Sequence, residues 1–484
     1  MIPAQTHPGT ILVRTNHRTE PWWRAVAEGM NFERYVTVSD LYGDGDHNLR
    51  KDFYAAYREF YRARATESDL LTNAAVDDVI ARCRVLRWLP RRKAAAMTLA
   101  MARACEIALD AIKPVAIVGF PIDSYTTDVL ERVASARGVP YYELAAAALP
   151  EMGMLFYRGR LIQRAALADP EEVERRIHEI VDPLFTPSYI DGPAIYSQAR
   201  FLKTHLYFRL RGWAFKLISW ALNDPLNQHF LDAQGFLGHK AQLSDRRITR
   251  MIDHDWRDKL AAFPPSRRIF IGLQVFPEAS IDYWIDDLGL IDHETTLTAV
   301  AKAFSDAGYL VLVKDHPEQF GFRQVALLDK LKALANVVIV PHEVSGNEMV
   351  DLCEVNFTCT GALGMQAALL GKKSIVTAYY YTTPGDYIIL ASPSEIPDLP
   401  QRVAETPLLA NEALAERRRR IISYLMRGLL PGNYMSFQTF GRDGVTPGVT
   451  QLGVNFGEDV ARLGPDGEDW HGLNPWPVAL EHAR

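Results

Sequence analysis

The chain has 484 residues, of which 48% are hydrophobic and 23% charged, and its formal net charge is −6. This length suits two domains of roughly 200 residues each. The negative charge argues against a general nucleic-acid binder, and no segment holds the ~18 unbroken apolar residues that a membrane span needs.

The cysteines and the first residues indicate the cellular compartment. The segment Met1–Thr10 is polar, so it does not resemble a signal peptide. No Cys-x-x-Cys pair occurs, which argues against a disulfide framework or a structural zinc site and favours a cytoplasmic location. The four cysteines are Cys83, Cys105, Cys353 and Cys359.

The first half of the chain alternates strand and helix signals, which is typical of a parallel sheet covered by helices. Lys113-Pro114 ends a long Ala-rich helix, and Gly138 ends the next one. We predict strands at Ile11–Arg14, Tyr35–Ser39, Val115–Phe120 and Val139–Leu144, and helices at Pro21–Met30, Arg92–Ile112 and Thr127–Arg137.

The middle of the chain, from Asp191 to about Asp258, is helical, aromatic and basic. We interpret it as the end of the first domain and a connector. The boundary is predicted at Phe263–Ser266, because two prolines there block a helix and favour extended chain. The predicted domains are therefore residues 1–260 and 261–484.

One stretch of this connector, Leu206–Leu222, mixes basic and aromatic side chains, among them Arg209, Arg211 and Lys216. We expect a helix packed between the domains. A helix that lies on a membrane surface is the alternative.

The second half repeats the alternation of short strands and helices, which predicts a doubly wound sheet. The tail after Pro431 is rich in Gly and Pro and is predicted to pack as loops. We predict strands at Arg268–Leu273, Tyr309–Lys314, Val337–Val340, Val355–Cys359 and Ser374–Ala378, and helices at Thr295–Ala307, Phe322–Leu334, Ser345–Leu352 and Ala362–Leu370.

The most distinctive motif is the end of the strand Tyr309–Lys314, which runs into Asp315-His316-Pro317. Ligands of open α/β sheets bind at such carboxyl ends. Lys314 and His316 start out on the same face of the strand, where both can donate hydrogen bonds to a phosphate or carboxylate. On spacing alone, a solvated surface turn explains the motif equally well.

A second motif follows the strand Val355–Cys359, where Thr358, Thr360 and Gly361 lead into a helix that begins near Ala362. Thr360 suits the N-cap, and Gly361 and Gly364 let a ligand approach the backbone. The free N–H groups of such a helix start can bind an anion. We expect the two motifs to lie on adjacent strand ends and to converge on one anion.

Several carboxylates are candidates for the chemistry. Glu278 and Asp282, after the first strand of the second half, can orient a sugar, although solvated loop acids are the simpler interpretation. Asp123 follows Val115–Phe120 and is the first candidate for the general base that deprotonates an acceptor hydroxyl; a helix N-cap is the alternative. Further candidates for the base are Glu143, Asp40 and the pair Asp44 and Asp46.

No metal site is predicted. Asp44-Gly-Asp46 looks like a metal-binding Asp-x-Asp, but such triplets are frequent in loops, and the following residues do not complete a calcium loop. The histidines show no metal-ligand spacing.

Over Ile269–Tyr381 the chain resembles the bacterial capsule polysaccharide biosynthesis glycosyltransferases, the group that includes Kdo transferases. The resemblance is carried by LQVFPEAS, VLVKDHPE and VVIVPHEVSGNEMVDLCEVNFTCTGALGMQAALLGKKSIV, in the same order and spacing. The His-Pro turn also recurs in bacterial sialyltransferases.

The resemblance implies a GT-B fold, with two Rossmann-like doubly wound domains facing a cleft and the donor nucleotide held by the second domain. It implies that Lys314 and His316, with Pro317 fixing their turn, bind the donor phosphate. The implied site is completed by Thr358, Thr360, Gly361 and Ala362. The family usually has Glu at Gln366, which is expected at the ribose, and Gly-Lys-Pro at Gly371–Lys373.

The implied activity moves a sugar from a nucleotide-sugar donor to a surface polysaccharide or a lipid-linked glycan, with no metal and no cofactor. CMP-sugar is favoured over UDP- or GDP-sugar, and His316 and Glu278 join Asp123 as catalytic candidates. A peripheral contact with the inner membrane and the oligomeric state are left open. The alternatives are a nucleotide-sugar epimerase or hydrolase of the same fold, and a non-catalytic glycan-assembly subunit.

Overall fold

The computed structural model describes residues 6–16, 18–164, 167–182, 184–187, 197–222, 224–226, 243–275, 278–321, 323–378 and 385–463. The elements up to residue 261 are β1 (His7–Arg14), α1 (Glu20–Gly29), β2 (Phe32–Ser39), β3 (His47–Asn48), α2 (Arg50–Ala63), α3 (Asn73–Arg82), α4 (Arg91–Ile112), β4 (Ala116–Gly119), α5 (Tyr125–Ser135), β5 (Tyr141–Ala146), β6 (Met152–Tyr157), β7 (Arg160–Leu161), α6 (Pro170–Val181), α7 (Gln198–Leu222) and α8 (Trp256–Ala261).

The remaining elements include all six strands of a second sheet. They are β8 (Arg268–Gly272), α9 (Ala279–Tyr283), α10 (His293–Asp306), β9 (Leu310–Lys314), α11 (Val325–Lys332), β10 (Val337–Val340), α12 (Gly346–Leu352), β11 (Val355–Phe357), α13 (Ala362–Leu369), β12 (Lys373–Val376), β13 (Ile388–Ile389), α14 (Leu399–Glu405), α15 (Asn411–Met426), β14 (Leu429–Pro431), α16 (Phe440–Asp443) and α17 (Pro447–Arg462).

The chain forms two compact α/β units, each with its own sheet. We call residues 6–164, 187 and 427–463 the first unit, and the other described residues, between 167 and 426, the second unit. Two largely parallel sheets with helices confirm the predicted α/β fold class. No helix in the described ranges is both long and apolar enough to cross a membrane.

The first unit contains a mixed sheet in the order β14-β6-β5-β4-β1-β2-β3, with β7 paired to β6. Strands β1 to β5 pair in parallel, and β6, β7 and β14 add antiparallel pairs at one edge. The core holds Trp22 and Trp23 of α1, and Trp22 stacks on Phe120 at 5.6 Å between ring centroids. Helix α4 is Ala-rich because it is buried along most of its length.

The second unit contains six parallel strands in the order β10-β9-β8-β11-β12-β13. Counted from β8, this order is 3-2-1-4-5-6, the order of the Rossmann fold. Strands such as β9 are apolar at nearly every position because helices cover both faces of a parallel sheet.

The two units differ from the predicted domains 1–260 and 261–484 in three places. Residues 167–182 and 184–186, which the prediction assigned to the first domain, belong to the second unit. The described part of the predicted connector belongs to the second unit, since Phe201 of α7 packs edge-on against Phe320 at 5.4 Å and Asp245 accepts the Val325 N–H at 2.9 Å. Residues 427–463 return to the first unit. The parts of the connector at 191–196, 223 and 227–242 lie outside the described residues.

The prediction of a loop-rich tail after Pro431 is wrong over residues 447–462, which form α17. This helix packs on α1, and Gly453 allows the contact, because a Cβ there would lie 2.4 Å from the Val26 carbonyl oxygen. The sequence of α17 lacks a clear helical signal because its three glycines, at 448, 453 and 457, lower the helix propensity. The tail beyond residue 463 lies outside the described residues.

Candidate functional site

The strand order of the second sheet locates its ligand-binding edge. In a 3-2-1-4-5-6 sheet, the chain leaves the central strands β8 and β11 in opposite directions, and ligands bind in the crevice outside their carboxyl ends. Gln274 follows β8, and Thr358–Gly361 follow β11. The second predicted motif therefore lies at the switch point of the sheet.

Hydrogen bonds join the two sides of this switch point. The Gln274 side-chain amide donates to Thr360 Oγ1 at 2.7 Å and accepts the Thr360 N–H at 3.1 Å. Thr360 Oγ1 donates in turn to Ser280 Oγ at 2.8 Å, and Glu278 Oε2 accepts from Gln274 Nε2 at 3.3 Å. We call Gln274, Glu278, Ser280 and Thr360 the switch-point cluster.

The start of α13 differs from the prediction in its cap. Gly361, and not Thr360, is the N-cap residue, and no described side chain caps this helix. The Gly364 N–H donates to the Gly361 carbonyl oxygen at 3.0 Å, so the N–H groups of Ala362 and Leu363 are left for water or an anion. The positive end of the helix dipole favours the anion. A Cβ at Gly361 would lie 2.9 Å from Thr358 Oγ1, so the glycine keeps this turn compact. Ala362 is the first helical residue, and Thr358 is buried below it.

Gly364, the other glycine of this motif, has a packing role. A Cβ there would lie 3.0 Å from Val376 Cγ1 and 3.1 Å from Thr358 Cγ2. It therefore brings α13 close to β11 and β12.

Lys314 is the last residue of β9, where it pairs with Gly272 of β8. Its side chain is buried, and Nζ donates to the carbonyl oxygen of Asp315 at 3.2 Å. Burial lowers the pKa of Lys314. Little water solvates this buried ammonium group, so an anion beside it would strongly stabilise its charged form.

His316 stands as the N-cap of the 3₁₀ turn Pro317–Gln319, and its Nδ1 accepts the Glu318 N–H at 3.2 Å. Burial lowers the pKa of His316 to about 4. The imidazole is therefore neutral near pH 7, and because Nδ1 accepts, its proton resides on Nε2. It offers a hydrogen-bond donor without a positive charge.

The two motifs do not lie on adjacent strand ends, as the sequence analysis expected. Strand β8 lies between β9 and β11. At ~4.8 Å per strand, Lys314 and Thr358 are thus about 10 Å apart across the edge. A ligand that contacts both motifs has to pass over the end of β8, where the switch-point cluster lies.

A buried ion pair that the sequence analysis missed holds this edge together. Asp315 accepts from Arg323 Nε at 2.9 Å and from Nη2 at 2.7 Å, and Nη2 also donates to the Gln274 carbonyl oxygen at 2.6 Å. Burial raises the pKa of Asp315, but the adjacent Arg323 outweighs it and holds the pKa well below its ordinary value. The pair links β9 to the loop after β8. Arg323 carries no local signal in the sequence, since only the fold brings it to Asp315.

The remaining predicted residues of the second unit occupy different positions. Glu278 belongs to the switch-point cluster, whereas Asp282 is fully buried in α9, which does not favour a direct sugar contact. Gln366 lines a cavity of about 330 Å³ between the end of α6 and the helices α12 and α13, together with Asp182 and Asn347. That volume is within the range of small-ligand pockets.

The predicted base candidates lie in the first unit. Asp123 is half-buried, four residues beyond β4. Glu143 lies in β5 and is fully buried; its Oε1 accepts the Arg158 N–H at 2.5 Å, and burial raises its pKa to about 7. Asp40 pairs with Arg14 at 2.6 Å.

The Asp44-Gly-Asp46 loop is held by its own carboxylates. Asp46 accepts the Thr37 N–H at 3.0 Å, and Asp44 accepts from Ser39 Oγ at 3.1 Å. Across the described ranges, no three His, Cys, Asp or Glu side chains gather as a metal ion would require.

Fold and site define a two-unit α/β protein whose second unit has the Rossmann strand order and an uncapped helix at its switch point. No protein-family model matches the chain, and no curated protein matches it.

Solved structures that are similar include a β-Kdo 2,4-transferase, KpsC, from Thermosulfurimonas dismutans, with 14% identity, coverage of 67% of this chain and 83% of that chain, and a TM-score of 0.37. A Methanocaldococcus jannaschii UDP-GlcNAc 2-epimerase, solved with UDP-GlcNAc and UDP, has 13% identity, coverage of 87% and 100%, and a TM-score of 0.26. The calicheamicin glycosyltransferase CalG4 has 14% identity, coverage of 91% and 100%, and a TM-score of 0.26. Similarities this low carry no residue roles to this chain.

Proposed function

We propose that this protein is a GT-B glycosyltransferase that moves a sugar from a nucleotide-sugar donor to a surface polysaccharide or a lipid-linked glycan. The observation that carries the proposal is the uncapped start of α13 at the switch point of a Rossmann-ordered sheet. Such a position combines free N–H groups with the positive end of a helix dipole, which suits the diphosphate or phosphate of a nucleotide.

The donor phosphate would lie over the end of β8, between α13 and the His-Pro turn. The N–H groups of Ala362 and the next residue would bind one oxygen, His316 Nε2–H would donate to another, and the Lys314 ammonium group would balance the charge. These groups stabilise the negative charge that develops on the leaving nucleotide, so the proposed reaction uses no metal and no cofactor.

The transfer step needs a base for the acceptor. In the proposed displacement the acceptor hydroxyl oxygen attacks the anomeric carbon, a carboxylate removes the hydroxyl proton, and the bond from the anomeric carbon to the phosphate oxygen breaks with its electron pair on the nucleotide. Asp123 is the proposed base, with Glu143 as the second candidate. CMP-sugar remains the favoured donor, and a cytoplasmic location remains part of the proposal.

The test compares His316→Ala with His254→Ala, an exposed histidine of the same unit. Each protein is screened by thermal shift against CMP, UDP, GDP and CDP, since a ligand of the native state raises its apparent stability. Transfer is then measured with the sugar donor of the nucleotide that binds. Loss of one such hydrogen-bond donor is expected to slow transfer by about 10²–10³ in His316→Ala, with His254→Ala unchanged.

Normal turnover in His316→Ala contradicts this assignment of the site. If the donor alone is epimerised or hydrolysed when no acceptor is present, the protein has one of the alternative activities. If no nucleotide raises the melting temperature, the protein is a non-catalytic member of the fold.

A further inference from the structure

Helix α7 carries apolar side chains on two of its faces. The inner face packs on the rest of the second unit. Phe201 and His205 are buried there, and His205 Nδ1 lies 3.2 Å from the Gly321 carbonyl oxygen. A helix of a globular protein usually has a polar outer face. The outer face of α7 departs from that pattern.

The outer face carries a stripe of large apolar side chains, which we call the α7 stripe. Its members follow each other at intervals of four, four, three and four residues, so they line one side of the helix over about 22 Å. Each is between 43% and 66% exposed, and they are Leu202, Leu206, Leu210, Trp213 and Leu217. Exposed apolar side chains scattered singly are ordinary, but a continuous row indicates an interaction surface.

The charges of α7 indicate what this surface binds. The helix has no Asp or Glu, although the whole chain has a net charge of −6. On a helical projection Lys203 borders the α7 stripe on one side and Arg209 borders it on the other. Arg200 and Arg211 lie further round the helix, beyond Lys203.

One flank of the stripe is concave. Arg200, Lys203 and Tyr207 are among the residues that line a groove of about 580 Å³ there, and Arg211 also reaches the Tyr207 hydroxyl at 3.1 Å. An apolar row next to a groove that Arg200 and Lys203 help to line matches a lipid surface, which offers acyl chains beside anionic headgroups. Trp213, within the row, is a residue type that is enriched at the membrane–water interface.

We infer that α7 is an interfacial helix, which places its stripe in an anionic phospholipid surface with its basic flanks on the headgroups. A second copy of the chain fits this face less well. A two-fold contact through the stripe would bring the basic flanks of both copies together, with no acidic side chain on α7 to pair with them.

The test uses the purified full-length protein and vesicle flotation. Vesicles of phosphatidylcholine alone are compared with vesicles in which about a third of the lipid is phosphatidylglycerol, at low and high salt. We expect binding to the anionic vesicles only, and its loss at high salt. The variant Leu210→Ser should abolish flotation, and Lys203→Gln should weaken binding roughly fivefold, because each basic residue near such a surface contributes about that factor.

Two exposed residues elsewhere in the second unit give matched controls. Leu408→Ser and Lys330→Gln should float as the wild type does, and all variants should melt at the wild-type temperature. Nucleotide binding measured on the same samples separates this inference from the proposed function, since it should be the same in all of them.

Three outcomes overturn the inference. One is no flotation of the wild type with anionic vesicles at low salt. Another is equal flotation of the wild type and Leu210→Ser. The third is a wild-type dimer that Leu210→Ser converts to a monomer without any vesicle binding, which would assign the stripe to a second copy.

Discussion

At the scale of single residues, burial decides the chemistry of the side chains that the motifs supply. The sequence predicts His316 as a hydrogen-bond donor without giving its charge, and burial lowers its pKa to about 4, so it is a neutral donor. Asp315 looks like part of an exposed polar turn, yet it is a buried partner of Arg323. The sequence identifies the polar strand end correctly, but it does not contain the local solvation that sets the charge of each group.

Glu143 gives a test of this effect on stability. Burial raises its pKa from the ordinary 4.5 to about 7, so the fold favours the protonated carboxyl. The stability that this preference contributes is complete below about pH 4.5 and is lost as the pH rises through about 7. We expect the free energy of unfolding of Glu143→Gln, relative to the wild type, to rise by about 3 kcal/mol across that window, since one pKa unit corresponds to about 1.36 kcal/mol.

Urea unfolding between pH 4.5 and pH 8 measures this difference. Glu59→Gln, an exposed glutamate of α2 in the same unit, is the control and should follow the wild type at every pH. A constant difference between Glu143→Gln and the wild type over the whole range would show that Glu143 does not titrate there.

At the scale of elements, tertiary packing explains where the predicted helices and the observed ones differ. Helix α17 contains glycines that disfavour an isolated helix, and its stability comes from the contact with α1. The prediction of a helix at α7 is confirmed, and five large apolar side chains of its outer face are exposed. An apolar row has the same spacing whether it is covered or exposed, so periodicity alone does not separate the two cases.

Gly453→Ala tests the contact between α1 and α17. A Cβ at this position would lie 2.4 Å from the Val26 carbonyl oxygen and 2.9 Å from Gly29 Cα, so the helices have to separate. We expect a loss of about 1–3 kcal/mol in the free energy of unfolding, the usual cost of such overpacking.

Chemical denaturation of Gly453→Ala and Gly441→Ala provides the comparison. Gly441 lies in α16, and a Cβ there would meet no atom within 4 Å. That control should be neutral or slightly stabilising, because alanine is the better helix former. Equal effects of the two substitutions would contradict a tight contact at Gly453.

At the scale of the whole molecule, the chain leaves the first unit and returns to it. Strand β14 pairs with β6, and the Tyr142 hydroxyl donates to the Leu463 carbonyl oxygen at 2.7 Å. The first unit is therefore completed only when residues 427–463 are added.

Deleting residues 427–484 should unfold the first unit and leave the second sheet intact. The deletion removes an edge strand and seven buried residues of α17, which is a large share of the roughly 5–15 kcal/mol that stabilises a domain. Hydrogen exchange should then show lost protection in β1, β4 and β5, with protection kept in β8 and β9. The control deletes only residues 464–484 and should keep the protection of the wild type. Unchanged protection of β1 and β4 in the longer deletion would show that residues 427–463 are not needed to complete the first unit.

The α/β class, the alternation of strands and helices and the two polar strand ends can all be predicted from the amino-acid sequence. They depend on short-range periodicity and on the Gly and Pro residues that end strands and helices. The sequence also marked Lys314, His316 and Thr360. The tertiary structure decided which strands are neighbours, and so placed β8 between the two motifs. It brought Arg323 to Asp315 and Gln274 to Thr360 and returned the C-terminal segment to the first unit, because contacts between residues far apart in the chain leave no local pattern.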